Sequence, residues 1–509
     1  MSRPGTQTRQ SPGDDATDGP GQREDSDILG DADVASRVVK GGIQRAGGFV
    51  ALNLITAGAA VLLLRYLGVD RYGRYGTVMA LLAIVQGVTD AGLSLTGSRE
   101  LSVRRTDAER REVLSHLIGL RIILSAVGLV LAVGFAAAAG YSRVMVEGTA
   151  VAGTGILVLS IQSSVLLPLT VELQNWRLAL NDFLRQVVLV ACFVAFVLAH
   201  GSLLSIFLAQ LIAGLAMLVL TPALVGRHRL VRPRWTRSEM RALTGRTLPL
   251  AISGALIAMY FRVIVILISL LDHSARQIGY YVTSERIIEL FLNLPTILIA
   301  VVIPVITISA RDNHARLGYV TLRMTQMMAV VGVLLAVVLH TGARPILLVL
   351  GGHQYLGAGT VLEIQCFALI TVFITSAWMT TLIGMRRTRL LITTTAVGVI
   401  AVLGCGFALI PPFGANGGAY AAVAADVIFC IAMYGALVRA GLRSQLAAGP
   451  LLRIAAAAIP AFALGALSPL PAIVNCLLAT ALYLLLVVVL RGLPPELESR
   501  LRGLVRRPA

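Results

Sequence analysis

The sequence predicts an all-α integral membrane protein of about 14 transmembrane helices, arranged as two six-helix lobes followed by two C-terminal helices. Three observations lead there. About fourteen apolar stretches alternate with short loops, and most approach the roughly 20 residues that cross about 30 Å of hydrocarbon. Arginine is concentrated on every second loop. Hydrophobic residues make up 57% of the 509 and charged residues 14%, with a mean hydropathy of +0.82, as expected of a chain solvated mainly by lipid.

Residues 1–35 are rich in Gly, Pro, Ser, Thr, Asp and Gln, bury too little apolar surface to fold, and read as a disordered cytoplasmic tail. No signal peptide is expected, because the first apolar run, starting near Phe49, is too long for one and continues into the bundle. Residues 36–226 form the expected N-terminal lobe, with spans near 46–66, 76–97, 115–139, 148–170, 180–199 and 203–225. A basic cytoplasmic loop, 227–246, leads to the C-terminal lobe, 247–440, with spans near 247–271, 278–309, 318–340, 359–385, 389–410 and 416–438. Residues 441–490 hold the last two, near 452–469 and 472–490. In the basic tail 491–509, Leu493, Leu497, Leu501 and Leu504 suit an amphipathic helix on the inner leaflet.

An even number of spans puts both termini on one side, and positively charged loops are retained in the cytoplasm. About 34 of the 43 Lys and Arg lie on the side of the termini, about 6 on the other and about 3 inside spans. The strongest retention signals are Arg104, Arg105, Arg110 and Arg111, the run from Arg227 to Arg246, and Arg386, Arg387 and Arg389. The expected location is therefore the cytoplasmic membrane, with both termini inside. The same rule accounts for the net charge of +17 without nucleic acid, since the arginines sit beside spans with no aromatic interleaving.

Several chemistries find no support. Cys192, Cys366, Cys405, Cys430 and Cys476 lie in or at the edges of apolar spans, without the spacing of zinc sites or disulfide frameworks, so neither a metal nor another cofactor is expected. No large outer loop, phosphate-binding glycine loop, HExxH or Gly-x-Ser-x-Gly elbow is present. A transporter is favoured over an enzyme. Residues 61–93 can be laid over 263–295, with Tyr72-Gly73 falling near Ile278-Gly279. The offset is six spans, so the repeats share orientation and the substrate path runs between the halves.

Six local patterns then carry a family resemblance. They are Arg65-Tyr66-Leu67-Gly68 with Tyr72-Gly73-Arg74-Tyr75-Gly76; Asp90-Ala91-Gly92-Leu93 with Arg99-Glu100; Leu248-Pro249-Leu250 with Tyr260-Phe261-Arg262; Gly279-Tyr280-Tyr281 through Arg286 to Pro304; Gly351-Gly352-His353-Gln354-Tyr355 with Val361-Leu362; and Phe413-Gly414-Ala415-Asn416-Gly417-Gly418-Ala419. In this order and spacing the chain resembles the Wzx-type polysaccharide or oligosaccharide flippases, within the superfamily that also holds the multidrug and toxic-compound extruders. The resemblance implies a two-lobed bundle of fourteen helices that moves a lipid-linked oligosaccharide across the cytoplasmic membrane by alternating access. It serves capsule, exopolysaccharide or cell-wall glycan export, with lipid II flipping a close variant. The implied partners are the lipid-linked oligosaccharide, the bilayer and a glycan polymerase or glycosyltransferases. Two other readings stay open: a drug/cation antiporter of the extruder type, and a non-transporting membrane scaffold of a glycan-assembly complex.

Charged side chains inside spans cost about 2.5–3.5 kcal/mol each at a helix centre, so each needs a reason. Arg262 lies about 21 Å along the seventh span and Arg286 about 12 Å down the eighth, at similar depth in the outer half, where they could clamp a cargo phosphate. Alternatively, Arg286 is merely neutralised by Glu285 or Glu289 on its own helix. The family often has an acid two positions after the seventh-helix arginine; here Ile264 stands there, which leaves Arg262 freer to meet substrate. Glu285, Glu289 and Asn293 form one polar stripe, with Glu289 and Glu285 candidates for proton or cation coupling or gating. Asp426, about 15 Å into the twelfth span, is either a hydrogen-bonding residue between helices or an ion-coupling one. Asp90 is a further candidate for ion coupling or gating, though it reads more readily as structural, neutralised by the nearby basic loop. Arg121, about 9 Å inside the third span, either snorkels to the inner headgroups or contacts substrate. Gln86 and Asn53 are expected on the first-lobe wall, and Pro295 and Pro304 permit a kink.

Overall fold

The computed structural model describes residues 32–493 apart from 105, 173, 227–230, 293, 301–305, 307–313, 443–447 and 469, with side chains from residue 55 onward at most positions. Most of both tails, the start of the basic loop, Asn293 and Pro304 lie outside the described residues, as does the side chain of Asn53. Residues 1–54 and 55–509 are separate compact units; all packing below is within the second.

Every regular element among the described residues is helical. The first half holds α1 (Ala32–Val103), α2 (Asp107–Ala138), α3 (Arg143–Val165), the short α4 (Leu167–Val171), α5 (Asn175–Leu198) and α6 (Leu203–Val225). The second half holds α7 (Arg237–Leu271), α8 (Ala275–Leu292), α9 (Leu294–Ala300), α10 (His314–Gly351), a 3-10 turn over His353–Ala358, α11 (Gly359–Gln365), α12 (Ala368–Gly384) and α13 (Thr388–Arg439). Two more follow, α14 (Ala448–Leu467) and α15 (Ala472–Val489).

Nine described helices are long and apolar enough to cross a membrane, or ten when the bent run His353–Gln365 with Ala368–Gly384 is one pass. The protein is a multi-pass membrane protein. The difference from about fourteen expected spans has a physical origin. α1 and α13 are each two helices meeting at a glycine, Gly68 (φ 68°, ψ 173°) and Gly414 (φ 56°, ψ −127°), backbone conformations that side-chain-bearing residues resist. The chain doubles back there: Thr56 and Ala83 of α1 line one cavity, although an unbroken helix would hold them about 40 Å apart. Likewise Val402 and Asp426 of α13 line one cavity. The eighth span is α8, whose 18 residues include Arg276, Glu285, Arg286 and Glu289, too charged to register as an apolar window. The thirteenth has only the shorter apolar run Gly449–Gly465. With these, the described helices account for fourteen passes.

Without water to squeeze out, membrane helices associate through close contact at small residues. Glycines draw α3 onto α6, where a Cβ on Gly155 would lie 2.5 Å from the Gln210 backbone and one on Gly214 would lie 2.7 Å from the Gly155 carbonyl. The second arm of α1 touches two helices of the other half. Near Gly68, a Cβ on Gly73 would lie 2.2 Å from the Ala275 carbonyl at the start of α8; towards its other end, a Cβ on Gly92 would lie 2.8 Å from the Ala251 nitrogen of α7. These glycines are nineteen positions apart, about 28 Å along the helix, most of the membrane's thickness.

Hydrogen bonds fasten both ends. Beside Gly68, the Arg65 guanidinium donates to the Val349 carbonyl (2.6 Å) and the Tyr355 hydroxyl to the Leu64 carbonyl (2.9 Å). At the far end, the segment before α7 runs along α2: the Arg234 amide donates to the Ser115 carbonyl (3.1 Å) and the Trp235 indole to the Gly119 carbonyl (3.3 Å). α14 and α15 pack on α10, where the Tyr483 hydroxyl donates to the Val330 carbonyl (3.0 Å).

Candidate functional site

Of the ionisable residues singled out in the sequence, four converge. Arg262 projects from α7, and Glu285, Arg286 and Glu289 from α8, where spacings of three and four residues put them on one face. Arg262 Nη1 lies 3.3 Å from Glu285 Oε1 and its Nη2 contacts Glu289 Oε1, while Arg286 Nη1 lies 2.8 Å from Glu289 Oε2. Glu289 thus accepts from both arginines. The absence of an acid at Ile264 does not leave Arg262 unengaged, contrary to the sequence expectation. The acids come from the neighbouring helix, a contact that spacing along α7 cannot reveal. Pairing of Arg286 with Glu289 is as anticipated, and it does not take the cluster out of reach: the side chains of Arg262 and Arg286 remain 31% and 34% exposed.

Two cavities flank the cluster. One, of about 250 Å³, is lined by both arms of α1 together with α5 and α6, and includes Tyr72, Tyr75, Gln186 and Gln210 as well as Arg262, Glu285, Arg286 and Glu289. The other, of about 470 Å³, lies among α7, α8, α11, α12 and α13, and includes Tyr260, Tyr281, Gln365 and Asp426 with Arg262, Glu285 and Glu289. Arg262, Glu285 and Glu289 therefore face both spaces, Arg286 only the first. Ala83, between the two contacts of α1 with the opposite half, lines both cavities. Chemically, the first offers two planar cations suited to a phosphate. The second shares Arg262, Glu285 and Glu289 and adds hydroxyls, an amide and the Asp426 carboxylate.

Asp426 is buried and accepts a hydrogen bond from the Tyr260 hydroxyl, across from α13 to α7, while still lining the larger cavity. Asp90 and Arg121 belong to a different structure. Arg121 has no solvent exposure and does not snorkel. Its guanidinium reaches Asp90 (3.0 Å), Ser94 Oγ (2.9 Å), the Ser160 carbonyl (2.9 Å) and Ser163, tying α1, α2 and α3. Arg121, not the basic loop, neutralises Asp90, because four polar acceptors at one depth hold the guanidinium more tightly than the membrane surface attracts it. Gln86 donates to Asp90 (3.0 Å) and joins this network, on neither large cavity. Sequence reasoning quoted Tyr72, Tyr75, Tyr260 and Tyr281 within the family patterns but gave them no role in the site, and passed over Gln365. The available signals were the place of the tyrosines in those patterns and a neutral amide, Gln365, inside an apolar span.

The profile of a family described as "Polysaccharide biosynthesis protein" matches residues 62–359, a stretch that contains the four-residue cluster. No curated protein matches the sequence. Among solved structures, the fold is similar to a lipid II flippase, MurJ, in an inward closed conformation, with a TM-score of 0.71 at 13% identity over 88% of this chain and 98% of that one. It is also similar to a multidrug resistance MATE family transporter of the MOP superfamily. The inward-facing form gives a TM-score of 0.64 and the outward-facing form 0.54, each at 14% identity over 78% of this chain and 96% of the other. At such identities the likeness is one of fold.

Proposed function

Because the chain belongs to the polysaccharide biosynthesis protein family, we propose that it is a flippase that moves a polyprenyl-(pyro)phosphate-linked oligosaccharide across the cytoplasmic membrane by alternating access. The observation that carries this reading is the pair Arg262 and Arg286, held at the edge of a membrane-embedded cavity by two carboxylates. Buried cations are costly unless paired. A pair of arginines that is neutralised yet still partly open suits a ligand bearing its own anion. In the empty protein Glu285 and Glu289 hold the guanidinium groups in place. An entering phosphate, with more charge and a geometry that fits the planar fork, takes over hydrogen bonds from the carboxylates.

On this reading the halves 36–226 and 247–440 are the two moving lobes, and α1 is the element that must part from α8 on one side and from α7 on the other. Both termini lie in the cytoplasm, and the cargo leaves for the outer leaflet to join capsule, exopolysaccharide or cell-wall assembly. Ion coupling, if the cycle uses it, falls to Glu285, Glu289 or Asp426, the acids that line the cavities.

The deciding experiment follows a fluorescent polyprenyl-pyrophosphate oligosaccharide across proteoliposomes containing wild type, Arg262→Ala or Arg286→Ala, matched for insertion. Transport by wild type that is lost in either variant supports the reading. Unchanged transport in both variants overturns the role of the arginines. No transport by wild type, combined with ion-driven efflux of organic cations, would favour a drug/cation antiporter, the second reading, to which the buried Asp426 in the larger cavity lends weight.

A further inference from the structure

The larger cavity has a composition that phosphate binding does not use. Gln365 is only 5% exposed, its amide sits beside the Tyr281 hydroxyl, and its Oε1 is buried with no hydrogen-bond partner. A buried acceptor left unpaired is unfavourable unless something periodically completes it. The other polar groups around the cavity are the Tyr281 and Tyr260 hydroxyls, the carboxylates of Asp426, Glu285 and Glu289, and the Arg262 guanidinium at the shared boundary. They stand among alanines, Ala368, Ala422 and Ala425, whose small side chains leave the space open.

Three features narrow the ligand. First, the volume of about 470 Å³ lies within the range of cavities that enclose small organic molecules, about 300–1,000 Å³. A hydrated inorganic cation fills only a fraction of it, at about 30 Å³ per water. Second, Glu285 and Glu289 are each paired with arginine and Asp426 accepts from the Tyr260 hydroxyl, so all three carboxylates already have partners within the protein. Third, the set mixes an unpaired acceptor with rotatable hydroxyls and the faces of Tyr260 and Phe261, rings that pack edge to face with centroids 5.4 Å apart. Ligands that offer many hydroxyl donors and acceptors on a compact apolar frame match that mixture, and saccharides are of this kind.

We propose that this cavity is a saccharide subsite that reads the glycan of the cargo, with Gln365 and Tyr281 as specificity-determining residues, separate from the phosphate-binding arginines. The inference rests on the flippase reading above. Arg262, Glu285 and Glu289 form the boundary shared by the two cavities, so a cargo with its phosphate at Arg286 extends its sugars past that boundary towards Gln365. Lipid chemistry is then read on one side of the cluster and sugar chemistry on the other.

The test uses the full chain in nanodiscs and two probes, polyprenyl pyrophosphate without sugar and the same lipid bearing an oligosaccharide. Gln365→Leu, which keeps side-chain size and removes the amide, is expected to weaken the glycan-bearing probe about tenfold, the scale of one or two lost hydrogen bonds, while the bare lipid binds within about twofold of wild type. Ala422→Phe, which fills the space, should act in the same sense. Arg286→Ala should weaken both probes. Retained binding of the bare lipid reports an intact fold in the two cavity variants, Gln365→Leu and Ala422→Phe. Equal losses for both probes in Gln365→Leu, or no loss for either in both cavity variants, would overturn the subsite while leaving the flippase reading in place. Failure of wild type to bind either probe would overturn the flippase reading and this inference with it.

Discussion

The guanidinium of Arg121 lies 3.0 Å from the carboxylate of Asp90, on the neighbouring helix, with no surface open to solvent. Removing Asp90 strands a fully buried guanidinium, at a typical cost of about 3–5 kcal/mol, whereas removing Arg121 strands a carboxylate that is 29% exposed and costs less. Asp90→Leu and Arg121→Ala are both expected to lower thermal stability in detergent, the first more sharply. The double variant should recover part of the loss, because no charge is left unpaired. Thermal melts of the three proteins check this. Melting of Arg121→Ala at the wild-type temperature would contradict a structural role.

Glu289 joins Arg262 and Arg286, so it competes with any phosphate for both. Glu289→Gln keeps the shape and weakens that competition. Binding of a polyprenyl-pyrophosphate cargo should tighten about tenfold or more while turnover falls, since release then lacks a carboxylate to reclaim the arginines. Equilibrium binding and initial transport rates, measured on the same preparation, separate the two effects.

The contact between α1 and α8 leaves no room for a side chain: a Cβ on Gly279 would lie 2.2 Å from the Val69 carbonyl. Backbone on both sides prevents easy relief. Gly279→Val is expected to hold α1 and α8 apart at this end. A cysteine pair placed at Asp70 and Arg276, whose side chains approach within 4.0 Å in the closed arrangement, should then cross-link more slowly than in the Gly279 background.

Asp426 accepts from Tyr260, and an asparagine can accept the same bond through its amide oxygen. Asp426→Asn should therefore fold with stability within about 1 kcal/mol of wild type. If the acid couples an ion gradient to transport, the variant loses gradient dependence while retaining cargo binding. Proteoliposome transport with and without imposed proton and sodium gradients gives the answer.

The helical architecture was legible because bilayer thickness imposes a length on every span and charge on alternate loops marks the turns. The two glycine reversals were legible less directly: Gly68 and Gly414 fall where the hydropathy pattern places turns, though the backbone runs through each with little interruption in helix. Arg262, Arg286, Glu285 and Glu289 stood out because charge in hydrocarbon is conspicuous. How they pair was less legible. Spacing along one helix predicted the contact of Arg286 with Glu289, but the reach of Arg262 across to α8 and of Arg121 to Asp90 depends on how separate helices are rotated against each other. Neutral polar groups such as Gln365 and Tyr281 carry too weak a cost in the sequence to be noticed until a cavity is seen beside them.

The pairing of two arginines with two glutamates has a further consequence. With both carboxylates ionised, the empty site carries no net charge, so resetting it across the bilayer moves nothing against the electric field. A cargo phosphate adds negative charge that enters from the cytoplasm on the proposed route. An interior-negative voltage favours expelling each such charge by about 2.3 kcal/mol per 100 mV when it crosses the full field. On the proposed route, a cluster that is neutral when empty would act as a rectifier: voltage would push the loaded step outward and leave the unloaded return alone.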